Sequence, residues 1–400
     1  MRSRMLRNLR LYPWATGLEG LLFWQATWFL YFQETLSGAQ AVLLYVVYDI
    51  SSTLLEVPSG VMSDRWGRRA TMISAAAAAL AGAIVLSLAQ SFAVFALGQA
   101  LIGAAVAFAS GTRNALLFES LEALGRGDEV EAHELRAWRA SFVALAVSAV
   151  IGGAMALWAP VLPFIASIPV GLAALAVAIS FAEPPAQTRP EAARPQLAAL
   201  GEAFRSPVLR WLFAFSVAGY AFSHVPFVFG QPFILVALDG IGAGQSAPLA
   251  SGAVSFAMMA ISVLVSLRAG AWRARFGLVP LLLTAFAIQV GLALVLGASG
   301  SVLAIAVLLL RMVPNALSAP FVVARVQPLL HGEARATYLS LQSLFGRLFL
   351  SATLWAAARA GGEGALESEA LSRVLLGYGG LGLVILLGFA ITVRRARVEP

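Results

Sequence analysis

Residues 60–69 read Gly60-Val61-Met62-Ser63-Asp64-Arg65-Trp66-Gly67-Arg68-Arg69, and they lie between two apolar runs, at 39–62 and 70–90. Four charges crowded between runs long enough to cross a bilayer mark a loop at a membrane surface, because charges inside the hydrocarbon are costly. Outward from this loop the pattern repeats. Apolar runs fall at 12–33, 39–62, 70–90, 92–117, 137–158 and 161–182, and a second set at 208–236, 247–268, 278–298, 301–325, 337–359 and 371–393. The expected fold is an all-α membrane protein of twelve transmembrane helices in two six-helix halves.

Composition agrees. Sixty per cent of the 400 residues are hydrophobic and 12% are charged, with a mean hydropathy of +0.84. A soluble domain carries roughly a quarter charged residues, so no water-facing surface can be built from this chain. The net charge of +7 comes from 27 basic residues, all Arg, spread between the apolar runs rather than gathered in a patch. That placement is the mark of topology and argues against nucleic acid as a partner. There is no cysteine, and His133, His224 and His331 are scattered, so neither a metal site nor a thiol nucleophile is expected. No phosphate-cradling Gly-rich loop is present, so no cofactor is expected and an enzyme reading has no support.

With the basic N-terminus (MRSRMLRNLR) inside, Arg65, Arg68, Arg69, Arg126, Arg136, Arg189, Arg194, Arg205, Arg273, Arg275, Arg335 and Arg394 all fall on the cytoplasmic side. Glu363, Glu367 and Glu369 fall outside. Both termini are therefore expected in the cytoplasm of a cell with the chain, a monomer, in its inner membrane. The polar stretch from Glu183 to Pro207 reads as a cytoplasmic linker between an N-terminal half (1–182) and a C-terminal half (208–400). The halves echo each other. A shift of about 210 positions lays Gly60, Arg65, Trp66 and Gly67 on Gly270, Arg275, Phe276 and Gly277, and internal repeats are how many secondary transporters are built.

The loop resembles the G-x-x-x-D-R-x-G-R-R signature of the major facilitator superfamily, and Glu56-Val57-Pro58-Ser59-Gly60 with Ser110-Gly111-Thr112-Arg113-Asn114-Ala115-Leu116 is similar to a bacterial drug or metabolite branch of it. The resemblance implies a secondary active transporter of a small organic solute, working by alternating access and coupled to protons, with export favoured. It also implies a cytoplasmic gate of Gly60, Asp64, Arg65, Gly67, Arg68 and Arg69, with Glu119 or Glu122 as the partner acid and Gly60 allowing close helix approach. Two departures weaken the drug-antiporter label. Gln99 stands where such antiporters carry Arg, and of their fifth-helix motif only Gly152-Gly153 is present.

Charges far from span ends are functional candidates. In the second span Asp49, Ser52, Thr53 and Glu56 make a polar stripe at helical spacing. Arg311, Asn315 and Ser318 repeat likewise in the tenth, and Ser340, Ser343, Arg347 and Ser351 in the eleventh. Glu19 lies in the first span, and Tyr220, Ser223, His224 and Gln231 in the seventh. Glu19, Asp49 and Glu56 are proton-coupling candidates, since desolvation favours the protonated form of a carboxylic acid. Arg311, Arg347, Asn315, Tyr220, His224, Gln99 and Trp24 are substrate-binding candidates. The arginines would hold an anionic group or pair with the acids when the cavity is empty, and uptake of an organic anion is the alternative they raise. His224 is either a proton relay or a hydrogen-bond partner of a neighbouring helix, and His133 and His331 read as solvated loop residues. The tryptophans, Trp211 included, read mostly as interfacial anchors, with Trp24 and Trp28, one turn apart, as the exception. A non-transporting sensor or scaffold on the same fold is the rival from another class. Its mark would be a degraded gate.

Overall fold

The computed structural model describes residues 1–185, 201, 204–330, 334–361 and 368–398, and they are helical with no strand among them. In chain order the helices are α1 (Arg2–Gly20), α2 (Trp28–Gln33), α3 (Gly38–Trp66), α4 (Arg68–Ser87), α5 (Phe92–Ala109), α6 (Thr112–Glu122), α7 (Val130–Ala156) and α8 (Leu162–Ser180). They continue as α9 (Pro207–Asp239), α10 (Ala247–Phe276), α11 (Leu278–Ala298), α12 (Val313–Val326), α13 (Ala334–Gly361) and α14 (Ser368–Ala396). Helices are the expected outcome, because hydrocarbon offers no partner to a backbone amide and each segment must satisfy its own.

Ten helical stretches among the described residues are long and apolar enough to cross a membrane. Two further spans complete the twelve. One is α13, which carries Arg347 and Arg359; the other is the first span, which is not the continuous helix expected over 12–33. α1 starts ten residues earlier and stops at Gly20, a 3-10 turn covers Phe23–Ala26, and α2 resumes at Trp28. The fourth span is likewise divided, between α5 and α6 at Ser110-Gly111, where Gly111 has φ +70°. The tenth opens as a 3-10 helix over Val302–Leu310 before α12. Runs of 3-10 helix that long are uncommon and often mark a functional hinge.

The chain divides into two compact units, Met1–Arg189 with Pro248–Phe256, and Pro190–Ala247 with Ala257–Pro400. The opening turns of α10 thus group with the first unit, where a clean second half from 208 was expected. Most of the anticipated linker, with His331, Glu363 and Glu367, lies outside the described residues. In the first unit α1 packs on α7, and α4 on both α5 and α8; in the second, α9 packs on α13, and α11 on both α12 and α14. These pairs occupy equivalent places in each run of six spans, so the sequence echo has a counterpart in packing.

The end of the first unit that holds the α3–α4 loop is tightly packed. Leu9, Tyr12, Leu117, Leu121 and Ala137 form one buried cluster, and Ala15, Met72, Leu116, Ala178 and Phe181 another. The buried Asn8 amide stitches them together: its Nδ2 donates to Ser120 Oγ and Ala182 O, both at 2.9 Å, and its Oδ1 accepts from Ala182 N at 2.8 Å. A buried amide with its partners supplied fixes one arrangement of α1, α6 and the exit of α8.

Candidate functional site

α3 and α4 meet at Gly67, whose φ of +99° ends one helix and starts the next. A side chain there would be strained, and a Cβ would stand 2.6 Å from the Glu183 carboxyl carbon. That carboxylate has the space because Gly67 has no side chain. It accepts from the backbone N–H groups of Arg68 (2.6 Å) and Arg69 (2.8 Å), satisfying the orphan amides of α4 and placing negative charge at its positive end. Glu183, expected to open a linker, is therefore anchored in the loop.

Arg68 is the centre of the loop's charges. It is 8% exposed, as is Glu119, whose carboxylate accepts from its Nε at 3.2 and 3.3 Å and from its Nη2 at 2.9 Å. Its Nη1 donates to Ser63 Oγ (2.7 Å) and to Asp64 Oδ1 (2.8 Å). One guanidinium thus ties α3, α4 and α6 together by charge-assisted bonds, the strong kind. Of the two expected partner acids, Glu119 makes the contact and Glu122 is exposed. Arg69 donates to the Ile179 carbonyl near the end of α8. Arg65 is exposed, and open space surrounds the Cβ position of Gly60, so the close helix approach expected of that glycine is not made.

Deeper in the first unit Glu19 pairs with Arg113. Neither residue belongs to a continuous span. Glu19 is the penultimate residue of α1, just before the break, and Arg113 is the second residue of α6, just after Gly111. The first break has a structural cause: a Cβ on Gly152 of α7 would lie 1.8 Å from the Phe23 carbonyl oxygen, so that glycine lets α7 press against the unwound backbone. Trp24 sits in the same 3-10 turn and stacks on Phe164, with centroids 6.0 Å apart. Trp28, on the far side of Thr27, is buried against Phe29, Phe32 and Tyr45. The two tryptophans are not neighbours on one helix turn, and Trp28 is core. So is Trp211, 5% exposed and stacked on Phe215. Trp14 and Trp158 keep the exposure of anchors.

Along α3, Asp49 (0% exposed) and Ser52 are buried, Thr53 donates to the Asp49 carbonyl, and Glu56 is half-buried beside Ser59. Gln99 is buried in α5. Arg311 and Arg347 are the partners expected of Glu19 in an empty cavity; Glu19 pairs with Arg113 of the Ser110–Leu116 segment. Nothing local could have found that pair, 94 residues apart. His133, expected as a solvated loop residue, is buried in α7, with Nε2 4.0 Å from Glu129.

In the second unit Tyr220, Arg311 and Arg347 gather near His224. The Arg347 guanidinium lies over the Tyr220 ring at 5.8 Å and that of Arg311 over Phe227 at 5.1 Å, while the Tyr220 and His224 rings are 4.3 Å apart. Arg311 stands where the 3-10 segment gives way to α12, next to the turn that carries the half-buried Asn315. The His224 ring nitrogen Nδ1 is 2.7 Å from the Tyr220 carbonyl of its own helix. A Cβ on Gly346 would touch Tyr220 at 3.1 Å, so that glycine lets α13 bring Arg347 onto the ring.

Comparison with known proteins matches this architecture. The profile of the Major Facilitator Superfamily matches residues 16–354. No curated protein matches the sequence. Among solved structures the nucleoside transporter NupG is similar at 14% identity and a TM-score of 0.77, over 97% of this chain and 98% of that one. A peptide transporter POT in complex with sulfate is similar at 13% identity and a TM-score of 0.73, over 99% and 95%. A bacterial homologue of the human lysosomal transporter Spinster, inward-facing and unoccupied, is 18% identical with a TM-score of 0.65, over 99% and 97%. At such identities these likenesses show the fold.

Proposed function

The chain belongs to the Major Facilitator Superfamily, and from that premise we propose that it is a secondary active transporter that moves a small organic solute across the cytoplasmic membrane by alternating access, coupled to protons and directed outward. The observation that carries the coupling is the position of Glu19. A carboxylate paired with Arg113 between two helix breaks can exchange a proton when the pair opens, and broken helices in transporters are where ions and substrates are held. Asp49 and Glu56 on α3 are the further proton candidates.

The Arg68 assembly is the gate in this reading. Its contacts to Glu119, Asp64 and Ser63 hold three helix ends on the cytoplasmic side. Opening that side requires them to rearrange, and remaking them favours the other state. An intact assembly of this kind also speaks against a sensor or scaffold; Asp64→Asn without effect on any cellular phenotype would revive that rival.

A second reading, uptake or facilitated passage of an organic anion, is favoured by the two guanidiniums seated on Tyr220 and Phe227 around His224. The test is a flux assay in proteoliposomes with an imposed pH gradient and a panel of organic solutes. Proton-linked efflux lost in Glu19→Gln supports the first reading. Flux that ignores the gradient, with Glu19, Asp49 and Glu56 all tolerant of neutral replacement, leaves the anion reading.

A further inference from the structure

A cavity of about 450 Å³ lies inside the first unit, and the Glu19–Arg113 pair stands in its wall. The space exists because α4 presents alanines to it, Ala75, Ala76, Ala79 and Ala83, opposite Gly171 of α8. Interiors are close-packed and hold few voids larger than a water molecule, whereas pockets for small ligands span roughly 300–1,000 Å³. The lining is mostly apolar, and beside the pair it carries the hydroxyl-bearing residues Ser110, Ser141, Ser167 and Tyr48.

The pair restricts what can enter. A ligand bearing one charge would take either Glu19 or Arg113 and leave the other, half-buried in the wall, without its partner, which is unfavourable. A ligand bearing both charges replaces one ion pair with two. The helix breaks make that exchange feasible, since Glu19 and Arg113 can separate by adjusting backbone at Leu21-Leu22 and Ser110-Gly111 without unwinding an intact helix. The rest of the cavity then meets an apolar body.

We propose that this cavity is a binding site for a small zwitterion with an apolar body, its ammonium group on Glu19 and its carboxylate on Arg113. The site deepens the transport reading and rests on it for the consequence that the bound zwitterion is carried. Occupancy itself is measured without transport.

The test uses the full-length protein in nanodiscs of anionic phosphatidylglycerol, titrated calorimetrically with phenylalanine, with its methyl ester as the cation-only probe, and with N-acetylphenylalanine as the anion-only probe. The expected result is that phenylalanine binds at least about tenfold more tightly than either, a difference of about 1.4 kcal/mol. Ala79→Leu fills the cavity while leaving the ion pair in place, and it should weaken phenylalanine by a similar factor. Glu19→Gln and Arg113→Gln should erase the preference for the zwitterion. Equal binding of the three probes, no binding of any, or an unchanged affinity in Ala79→Leu overturns the site. Competition by phosphatidylethanolamine added to the nanodiscs assigns it to lipid instead and overturns it for a free solute. If phenylalanine binds as expected while the proteoliposomes show no proton-linked flux, the site stands and the transport reading falls; flux without this binding separates them the other way.

Discussion

The loop between α3 and α4 and the loop between α10 and α11 have the same backbone and different chemistry. Gly67 and Gly277 have φ of +99° and +88°, and each ends one long helix and begins the next. In the first unit the turn is surrounded by Asp64, Arg68 and Arg69; the same shift of about 210 positions lays Ala274, Leu278 and Val279 there in the second. The turn is thus a folding device common to both halves, and the ionic assembly around Arg68 is an addition made in one.

The contrast runs deeper into the units. Charges of the first are held by opposite charges, Arg68 by Glu119 and Asp64, and Arg113 by Glu19. In the second, guanidiniums lie on rings: Arg273 on Phe321 at 5.8 Å, Arg311 on Phe227 and Arg347 on Tyr220. A carboxylate neutralises its partner and must be parted from it for movement. A ring face attracts a cation through its quadrupole and fixes its direction. In the proposed reading the first unit's ion pairs serve as latch and proton exchanger, and the rings of the second set the direction of its guanidiniums.

Substitutions can break or sharpen this comparison. The largest effect is expected from Arg68→Ala, which leaves Glu119 buried without its cation and should cost about 3–5 kcal/mol in denaturation of the detergent-solubilised protein. Arg275→Ala, at an exposed position of the equivalent loop, should stay within about 0.5 kcal/mol. Equal losses would erase the distinction between the loops. Next comes the turn. Gly67→Ala and Gly277→Ala should each lose about 1–3 kcal/mol to backbone strain, with Gly67→Ala the costlier because Glu183 must also move. Equal costs would show that the Glu183 contact adds nothing. Glu183→Gln, which weakens the cap on α4, should cost about 1 kcal/mol and speed hydrogen exchange at the Arg68 and Arg69 amides. Unchanged exchange there would remove Glu183 from the loop. The smallest effect belongs to Arg359→Gln, which gives up an exposed ring contact with Trp355 worth about 0.5–1 kcal/mol.

Much of this was legible in the sequence for physical reasons. Span count follows from apolar run length, and the loop's residue types announce an ionic assembly before any partner is seen. What was hidden depends on contacts between distant segments. The break at 21–27 falls in Leu-Leu-Phe-Trp-Gln-Ala-Thr, which holds no glycine or proline, and Gly152, which makes room for the unwound backbone, lies more than a hundred residues away. Glu183 looked like the first residue of a linker because prolines follow it, yet its carboxylate belongs to α4. Arg113 was masked by position: counted from the start of an unbroken fourth span it falls near the end, and only the break at Gly111 returns it to Glu19. His133 shows the converse error, a polar residue near a loop that the fold buries.

The central claim is alternating access, and the absence of cysteine from the chain makes it directly testable. A single cysteine introduced as Asn315→Cys is probed with a membrane-impermeant maleimide from either face of sealed vesicles, with and without a pH gradient. The account predicts labelling from both faces, with the gradient shifting the ratio between them and Arg68→Ala shifting it toward the cytoplasmic face. Labelling from one face only, at every gradient and in both backgrounds, would contradict it.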